Sequence, residues 1–516
     1  MRFLTIPPVA LPSRARRAGA AAGLALAAAT AFAAGCNNDA LLGLNQNPNS
    51  PTDVPAAPLF TTAVDSAVTR FRGSGFDFTG TSLFAQHFAK VQYVDEDQYR
   101  IRPQSIDAYF QGPYSAELAD LRRVQIKGTQ ASQAGTSGPA IVMSTWVFGI
   151  LTDTFGDIPY SQALLGDSAG TSLTPAYDPQ QQIYQGFFTN LAAAATSLTN
   201  AKNTLGTADP VYGGDPASWQ KFANSLRARF ALREVKADAA DADKQLAAAF
   251  AAPGGVMQSN ADNAQLVWPG DGVSDNPYAA NFKSRDDNRV SRVLVDTLNA
   301  YADPRLAVYA QPTVDDPSVY AGLQNGLATG DAGAFFNTTS RPGAIFYPGS
   351  TAYGDFGTAS NAKTPSYLMT YAEVAFIRAE AAERGIGGLA PGQAAGFYRA
   401  GITASMQQWG VTDASAIDAY LAQPGIAYVP GAEGLRRIAL QKWIALYTQG
   451  SEAWAEYRRT GVPALEKGPA AIATVTGVPR RMPYAPNEQS VNAASRAAAV
   501  ARQGPDSYNT HVWWDK

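Results

Sequence analysis

Between Ser366 and Gly385 the chain reads SYLMTYAEVAFIRAEAAERG, free of proline, poor in β-branching, and closed by a glycine where a helix would stop. Leu368, Ala372, Ala375, Ala379 and Ala382 recur at alternating four- and three-residue steps, while Met369, Tyr371, Val374, Phe376 and Ile377 spread apolar surface round the rest of the circumference. The pattern predicts a helix covered on several sides. A second helical run, Gln393 to Trp409, follows a glycine-rich turn that contains Pro391, and the two read as an antiparallel hairpin of tetratricopeptide type. Such a unit cannot bury its own face and needs stacked neighbours.

Similar periodicity predicts helices over Leu59–Arg72, Ile106–Lys127, Ala140–Leu151, Ile183–Leu198 and Ser218–Val235, and one long helix over Gly434–Thr460. Trp219, Phe222, Leu226 and Phe230 fall on one side of their helix as core residues. From about Gly254 to Thr364 the runs are short and broken by Pro, Gly, Asn and Asp, with a helical period only near Val290–Tyr301, which predicts loops and short strands. Beyond Gly461 the tail is irregular, and Trp513-Trp514 reads as a plug that seats it on the core.

Composition supports a large helical body with ordered loops. The 516 residues are 46% hydrophobic and only 16% charged, with Gly, Pro, Tyr and Phe plentiful. Net charge is −3, and it becomes −7 once a leader carrying Arg2, Arg14, Arg16, Arg17 and no acid is removed. That balance excludes a nucleic-acid binder, whose partner demands a basic surface. Two histidines, His87 and His511, and one cysteine exclude zinc-finger and Cys-based metal sites, and the sequence has no HExxH or phosphate-loop motif. No cofactor and no metal are expected.

The leader, residues 1–35, has a basic start and an apolar run, Ala18–Ala34, too short and alanine-rich for a membrane span. It ends Ala33-Ala34-Gly35-Cys36, so the chain's lone thiol stands where bacterial lipoproteins carry their lipid, although leucine usually stands where Ala33 does. Cys36 is thus the expected lipidation site, and residues 36–58, rich in Asn and Pro, the tether that follows.

For binding chemistry the loops offer Tyr93 and Tyr99, which bracket an acidic turn, and Trp268, Tyr278, Tyr347 and Tyr353 in the loop-rich segment. Tyr and Trp faces stack on the C–H faces of sugars while their polar edges stay wet, and Asn281 or Arg285 would bond to hydroxyls. For catalysis, Glu373 and Glu380 project from one helical stripe roughly 10 Å apart, a spacing a glycosidase pair could use. Solvation and ion pairing, such as Glu380 with Arg384 at i, i+4, explain the same residues more simply.

Several stretches together resemble the SusD/RagB family of outer-membrane lipoproteins: NPNSPTD (Asn47–Asp53), DTFGDIPYSQAL (Asp153–Leu164), WQKFANSLRAR (Trp219–Arg229), SRVLVDTLNAYADPRL (Ser291–Leu306), PSYLMTYAEVAFIRAEAA (Pro365–Ala382), IALQKWIALYTQGSEAWAEYRRTG (Ile438–Gly461), and RRMPYAPNEQSVN (Arg480–Asn492) before a terminal WWDK. The resemblance implies a mainly α fold, a tetratricopeptide-like helical-hairpin scaffold with a loop-rich ligand-binding region and a few short strands. It implies a non-catalytic, lipid-anchored outer-membrane protein that binds oligosaccharides or peptides and passes them to a SusC-like TonB-dependent β-barrel. On this basis residues 59–516 are expected to form one domain, with the scaffold over 59–253 and 365–460, the ligand region over 254–364 and an irregular segment over 461–516. Asp39 is the only early acid after Cys36, where many surface-exported relatives carry an acidic run. Two other functions suit the same composition: a secreted glycoside hydrolase on a helical scaffold, and a periplasm-facing helical-repeat adaptor.

Overall fold

The helices that the periodicity predicts pack as successive hairpins in the computed structural model, which describes residues 53–166, 173–346 and 362–516. Ala56–Lys516 form one compact unit, and only residues 53–55 of the preceding one are described. In chain order the longer helices are α1 (Ala56–Phe71), α2 (Pro103–Phe110), α3 (Glu117–Gln130), α4 (Ala134–Phe155), α5 (Gln180–Leu198), α6 (Pro216–Arg233), α7 (Ala239–Ala251), α8 (Pro277–Phe282) and α9 (Arg292–Ala300). They continue with α10 (Tyr371–Arg384), α11 (Ala394–Gln408), α12 (Ala414–Leu421), α13 (Ala432–Ala445), α14 (Gly450–Thr460) and α15 (Ala493–Gln503). The links between α3 and α4, between α5 and α6 and between α10 and α11 each return the chain on itself, so each pair packs along its length. α4 also packs on α5, and α6 on α7 and α10, which makes the stack continuous.

α4 is apolar all round because it is enclosed all round. It is long and apolar enough to cross a membrane by composition alone, with 78% of its most apolar window buried inside the protein. α6 is bipartite: Trp219, Phe222 and Phe230 enter the main core, and Arg229 and Arg233 enter a buried ion-pair network. Arg229 gives Glu373 two hydrogen bonds, 2.7 and 2.6 Å, and Arg233 bonds Asp153 at 2.6 Å and also pairs with Glu452.

Six short strands join segments distant in sequence. β1 (Phe88–Lys90) pairs antiparallel with β5 (Asn288–Val290), β2 (Ile158–Pro159) with β3 (Tyr177–Asp178), and β4 (Ala264–Leu266) with β6 (Ser366–Met369).

Four elements differ from the sequence reading. The helix expected over Ile106–Lys127 is broken, since α2 ends at Phe110 and α3 begins at Glu117 after a separate helical turn, Gly112–Ser115. The Ser366–Gly385 helix begins only at Tyr371: Ser366–Met369 is strand β6, and the Thr370 side chain caps α10 by accepting from the Glu373 N–H. Gly385, with φ 67°, ends it as expected. The long helix over 434–460 is two, because Thr448 turns left-handed at φ 69° and the Gly450 N–H is drawn to the Asp77 carboxylate at 2.7 Å. A Cβ at Gly450 would stand 2.2 Å from the Ser82 hydroxyl, so only glycine restarts the helix there. The tail is not irregular throughout, since α15 lies within it. Trp514 does plug the core, fully buried, with its indole N–H on Asp153 at 2.8 Å and the Arg458 guanidinium 4.7 Å over its ring.

Candidate ligand-binding site

The β1–β5 pairing sets Lys90 opposite Asn288, so the chain leaving β1 and the chain entering β5 emerge side by side. Between them, the π-helical turn Ser74–Thr81 and the first turns of α2 lies a polar pocket of about 270 Å³. Lys90 forms part of its lining. Almost wholly buried, its ammonium is 2.6 Å from Asp287.

The segment after β1 owes its shape to Asp97, a buried carboxylate that accepts from the Lys90 N–H at 3.1 Å and from the Asn325 amide at 2.7 Å. Burial pushes this carboxyl up to about 6, against the pull of those hydrogen bonds. Tyr93 and Tyr99 both adopt left-handed backbone, φ 52° and 66°, a conformation a non-glycine residue keeps only where its surroundings enforce it. Tyr99 supplies the enforcement: its ring is buried edge-on to Phe84 with centroids 5.5 Å apart. Tyr93 is consequently left on the rim, 65% exposed, with the Arg285 guanidinium 4.7 Å over its ring.

The walls supply hydrogen-bonding groups of every kind. Asn281 presents an amide nitrogen that is buried yet has no partner among the described residues. The Tyr109 hydroxyl, pushed up to about 12 chiefly by burial, stays protonated and can donate. Glu96 and the exposed Arg102 add one charge of each sign, and neither is held by an ion pair among the described residues. One open aromatic face beside several free donors and acceptors matches a polyhydroxylated ligand. A larger groove, about 600 Å³, lies elsewhere between Phe110, Leu164, Leu165 and Val491, and its walls are mostly apolar.

The structure thus unites Tyr93, Asn281 and Arg285 of the expected platform, and removes three of its other members. Tyr99 is core; Tyr278 is buried and stacked on Phe78 at 4.4 Å; Trp268 is buried with its indole N–H on Ser366 at 2.9 Å. These rings anchor loops from below, having more apolar surface to bury than the rim could cover. Tyr347, Tyr353 and Cys36 lie outside the described residues. Glu373 and Glu380 are not open to any substrate. Glu373 is sealed against Arg229, and Glu380, between Arg459 and Arg384, is held at about 2 because those cations outweigh burial. The sequence reading missed Lys90, Glu96, Arg102 and Tyr109. The signal for the first three was charge crowded around the two tyrosines, in KVQYVDEDQYRIR, which does not reach Tyr109.

With this fold and pocket in view, comparison places the chain in a class. A family model described as SusD-like, starch-binding and associating with the outer membrane, matches residues 48–485, and the chain belongs to that family. Among similar solved structures, a chitin-binding protein shares 27% identity at TM-score 0.77, over 90% of this chain and 100% of its own. A SusD homologue of Bacteroides uniformis shares 26% at TM-score 0.76, over 90% and 100%. A chitin-binding SusD homologue of Flavobacterium johnsoniae shares 27% at 0.74, over 89% and 98%. No curated protein sequence matches the chain.

Proposed function

We propose that this protein captures oligosaccharides at the β1–β5 pocket and hands them, without chemical change, to a SusC-like TonB-dependent β-barrel. The observation that carries the reading is the convergence of Tyr93, Asn281 and Arg285 from two distant segments on one polar pocket, in a family described by starch binding at the outer membrane. The two chitin-binding relatives support a glycan over a peptide. A binding role also suits the pocket's lining, in which Glu96 is the one carboxylate among the described residues, whereas glycoside hydrolysis needs a pair. Residues 1–35 act as the signal, Cys36 as the lipid-bearing residue and 36–58 as the tether, with residues 59–516 one binding domain at the cell surface.

Titration calorimetry against a panel of oligosaccharides and peptides tests capture, with dissociation constants expected on the order of 1 mM to 1 μM because each sugar hydroxyl exchanges a water hydrogen bond. Tyr93→Ala and Asn281→Ala should weaken binding without changing thermal stability. Binding that neither variant alters places the ligand elsewhere, and no binding to any member of the panel removes the capture role. Mild-detergent extraction of the tagged protein should bring a TonB-dependent barrel with it, and Cys36→Ser should release the protein from the membrane fraction.

A further inference from the structure

The same pocket has a charge pattern that a neutral sugar does not require. Elsewhere several buried arginines are committed to carboxylates, Arg229 to Glu373, Arg305 to Asp303, Arg341 to Asp286 and Arg459 to Glu380, whereas Arg458 bonds to backbone carbonyls. At the pocket the pairing fails. Lys90 and Arg285 share one carboxylate, Asp287, at 2.6 and 3.6 Å, and Arg102 has none among the described residues. The Lys90 ammonium has three donors, and its one hydrogen bond is to Asp287. Of the charged groups that line the pocket itself, Lys90, Arg102 and Arg285 outnumber Glu96, while Asp287 and Asp97 are neighbours of Lys90 outside the lining.

Resting on the reading that this pocket binds saccharide, we infer that its ligand is an acidic one, a uronate-containing oligosaccharide. The sugar carboxylate bonds to Arg102 and Arg285, and the sugar ring lies on Tyr93. Guanidinium groups suit a planar carboxylate, to which they give paired hydrogen bonds. The Asn281 amide and Tyr109 hydroxyl serve the sugar hydroxyls, and Glu96 accepts from others. Glu96 also repels a second negative group close by, which favours one carboxylate per bound unit over a densely sulfated chain. At about 270 Å³ the pocket falls just below the roughly 300–1,000 Å³ usual for ligand sites, so it grips a short stretch of chain.

The test is titration of the purified protein with trigalacturonate, maltotriose, chitotriose and a Glu-rich tripeptide, at about 20 mM and about 500 mM NaCl, which cuts the reach of charge from about 20 Å to about 4 Å. Trigalacturonate should bind at least about tenfold tighter than either neutral trisaccharide at low salt. High salt should erase most of that preference. Arg102→Gln, at an exposed position where folding is not at stake, should cost uronate affinity several-fold more than it costs neutral sugars, and Glu96→Gln should raise uronate affinity. The acidic-ligand inference is overturned if neutral sugars bind as tightly as trigalacturonate, if the preference survives Arg102→Gln combined with Arg285→Gln, or if the tripeptide matches the uronate. The two proposals separate through Tyr93→Ala. Neutral sugars that bind as tightly as trigalacturonate and lose that binding in Tyr93→Ala keep the pocket and sink the uronate, whereas no saccharide binding at all sinks both.

Discussion

Removing the Glu373 carboxylate tests what that buried glutamate does. The side chain is fully buried, and Arg229 spans it with hydrogen bonds of 2.7 and 2.6 Å while lying 3.6 Å from Glu452. Burial lowers the Arg229 pKa and Glu373 with Glu452 raises it above its ordinary value; without Glu373 the guanidinium still stays charged, because arginine is not deprotonated in proteins. Glu373→Ala removes both of its hydrogen bonds and leaves the buried charge only the more distant Glu452, a defect that costs up to about 3–5 kcal/mol. Unfolding entropy of ~2.1 cal/mol/K per residue gives roughly 1 kcal/mol/K for a unit of about 460 residues, so Tm should fall by up to about 3–5 °C. Glu373→Gln keeps one acceptor and the shape, and should lose about half as much. Arg229→Met with Glu373→Leu removes both charges and fills the space, and should recover most of the loss. Scanning calorimetry at one fixed scan rate measures all four proteins. A Tm for Glu373→Ala within 1 °C of the parent, or a double variant no better than the single, refutes the reasoning. Saccharide release by the parent that disappears in Glu373→Gln would restore the glycosidase reading.

Trp268→Ala should destabilise by about 3–5 kcal/mol, read as a urea midpoint, while leaving oligosaccharide affinity unchanged at 25 °C, because the ring is core and does not line the pocket. Gly149→Ala should cost about 1–3 kcal/mol, since its Cβ would meet the Phe230 ring at 2.4 Å, and Phe230→Leu in the same chain should return part of it. Glu234 is buried and pushed up to about 9, by burial first and then by Asp241 and Asp238. The folded state therefore holds the extra proton between the ordinary carboxyl range and pH 9, and its contribution to stability falls as pH rises through that window. Glu234→Gln should match the parent near pH 5 and exceed it near pH 9 by at least ~1.4 kcal/mol, the worth of one pKa unit; parallel urea curves at both pH values would disprove this.

The helical scaffold was legible because its signals are local and repeated. Small residues at helical spacing in α10 and α11, and the aromatic face of α6, fix helix identity before any partner is known. Helix ends were less legible where a distant group sets them. Ser366–Met369 is extended because β4, about a hundred residues away, pairs with it, and the break before α14 answers to Asp77. The pocket was only half legible for the same reason. Tyr93 and Tyr99 share a loop, a residue type and a left-handed backbone, yet one ring is open and the other sealed. Which is which depends on Phe84 and on the Asp97–Asn325 bond, contacts that periodicity does not reveal. Glu373 and Glu380 were rightly read as structural, but as buried ion pairs and not as a solvated face.

The β1–β5 strand pair is only three residues on each side, yet it acts as a graft point. What lies beyond it on one strand, residues 91–102, and before it on the other, residues 281–287, makes opposite walls of one pocket. The clasp itself asks little of those walls beyond their starting places. Diversification among relatives can then proceed by exchanging two short cassettes while the helical body stays constant. The cassettes have to move as a pair: a chimera that receives Tyr93 and Glu96 without the matching Asn281 and Arg285 inherits half a pocket, and with it no specificity from either parent.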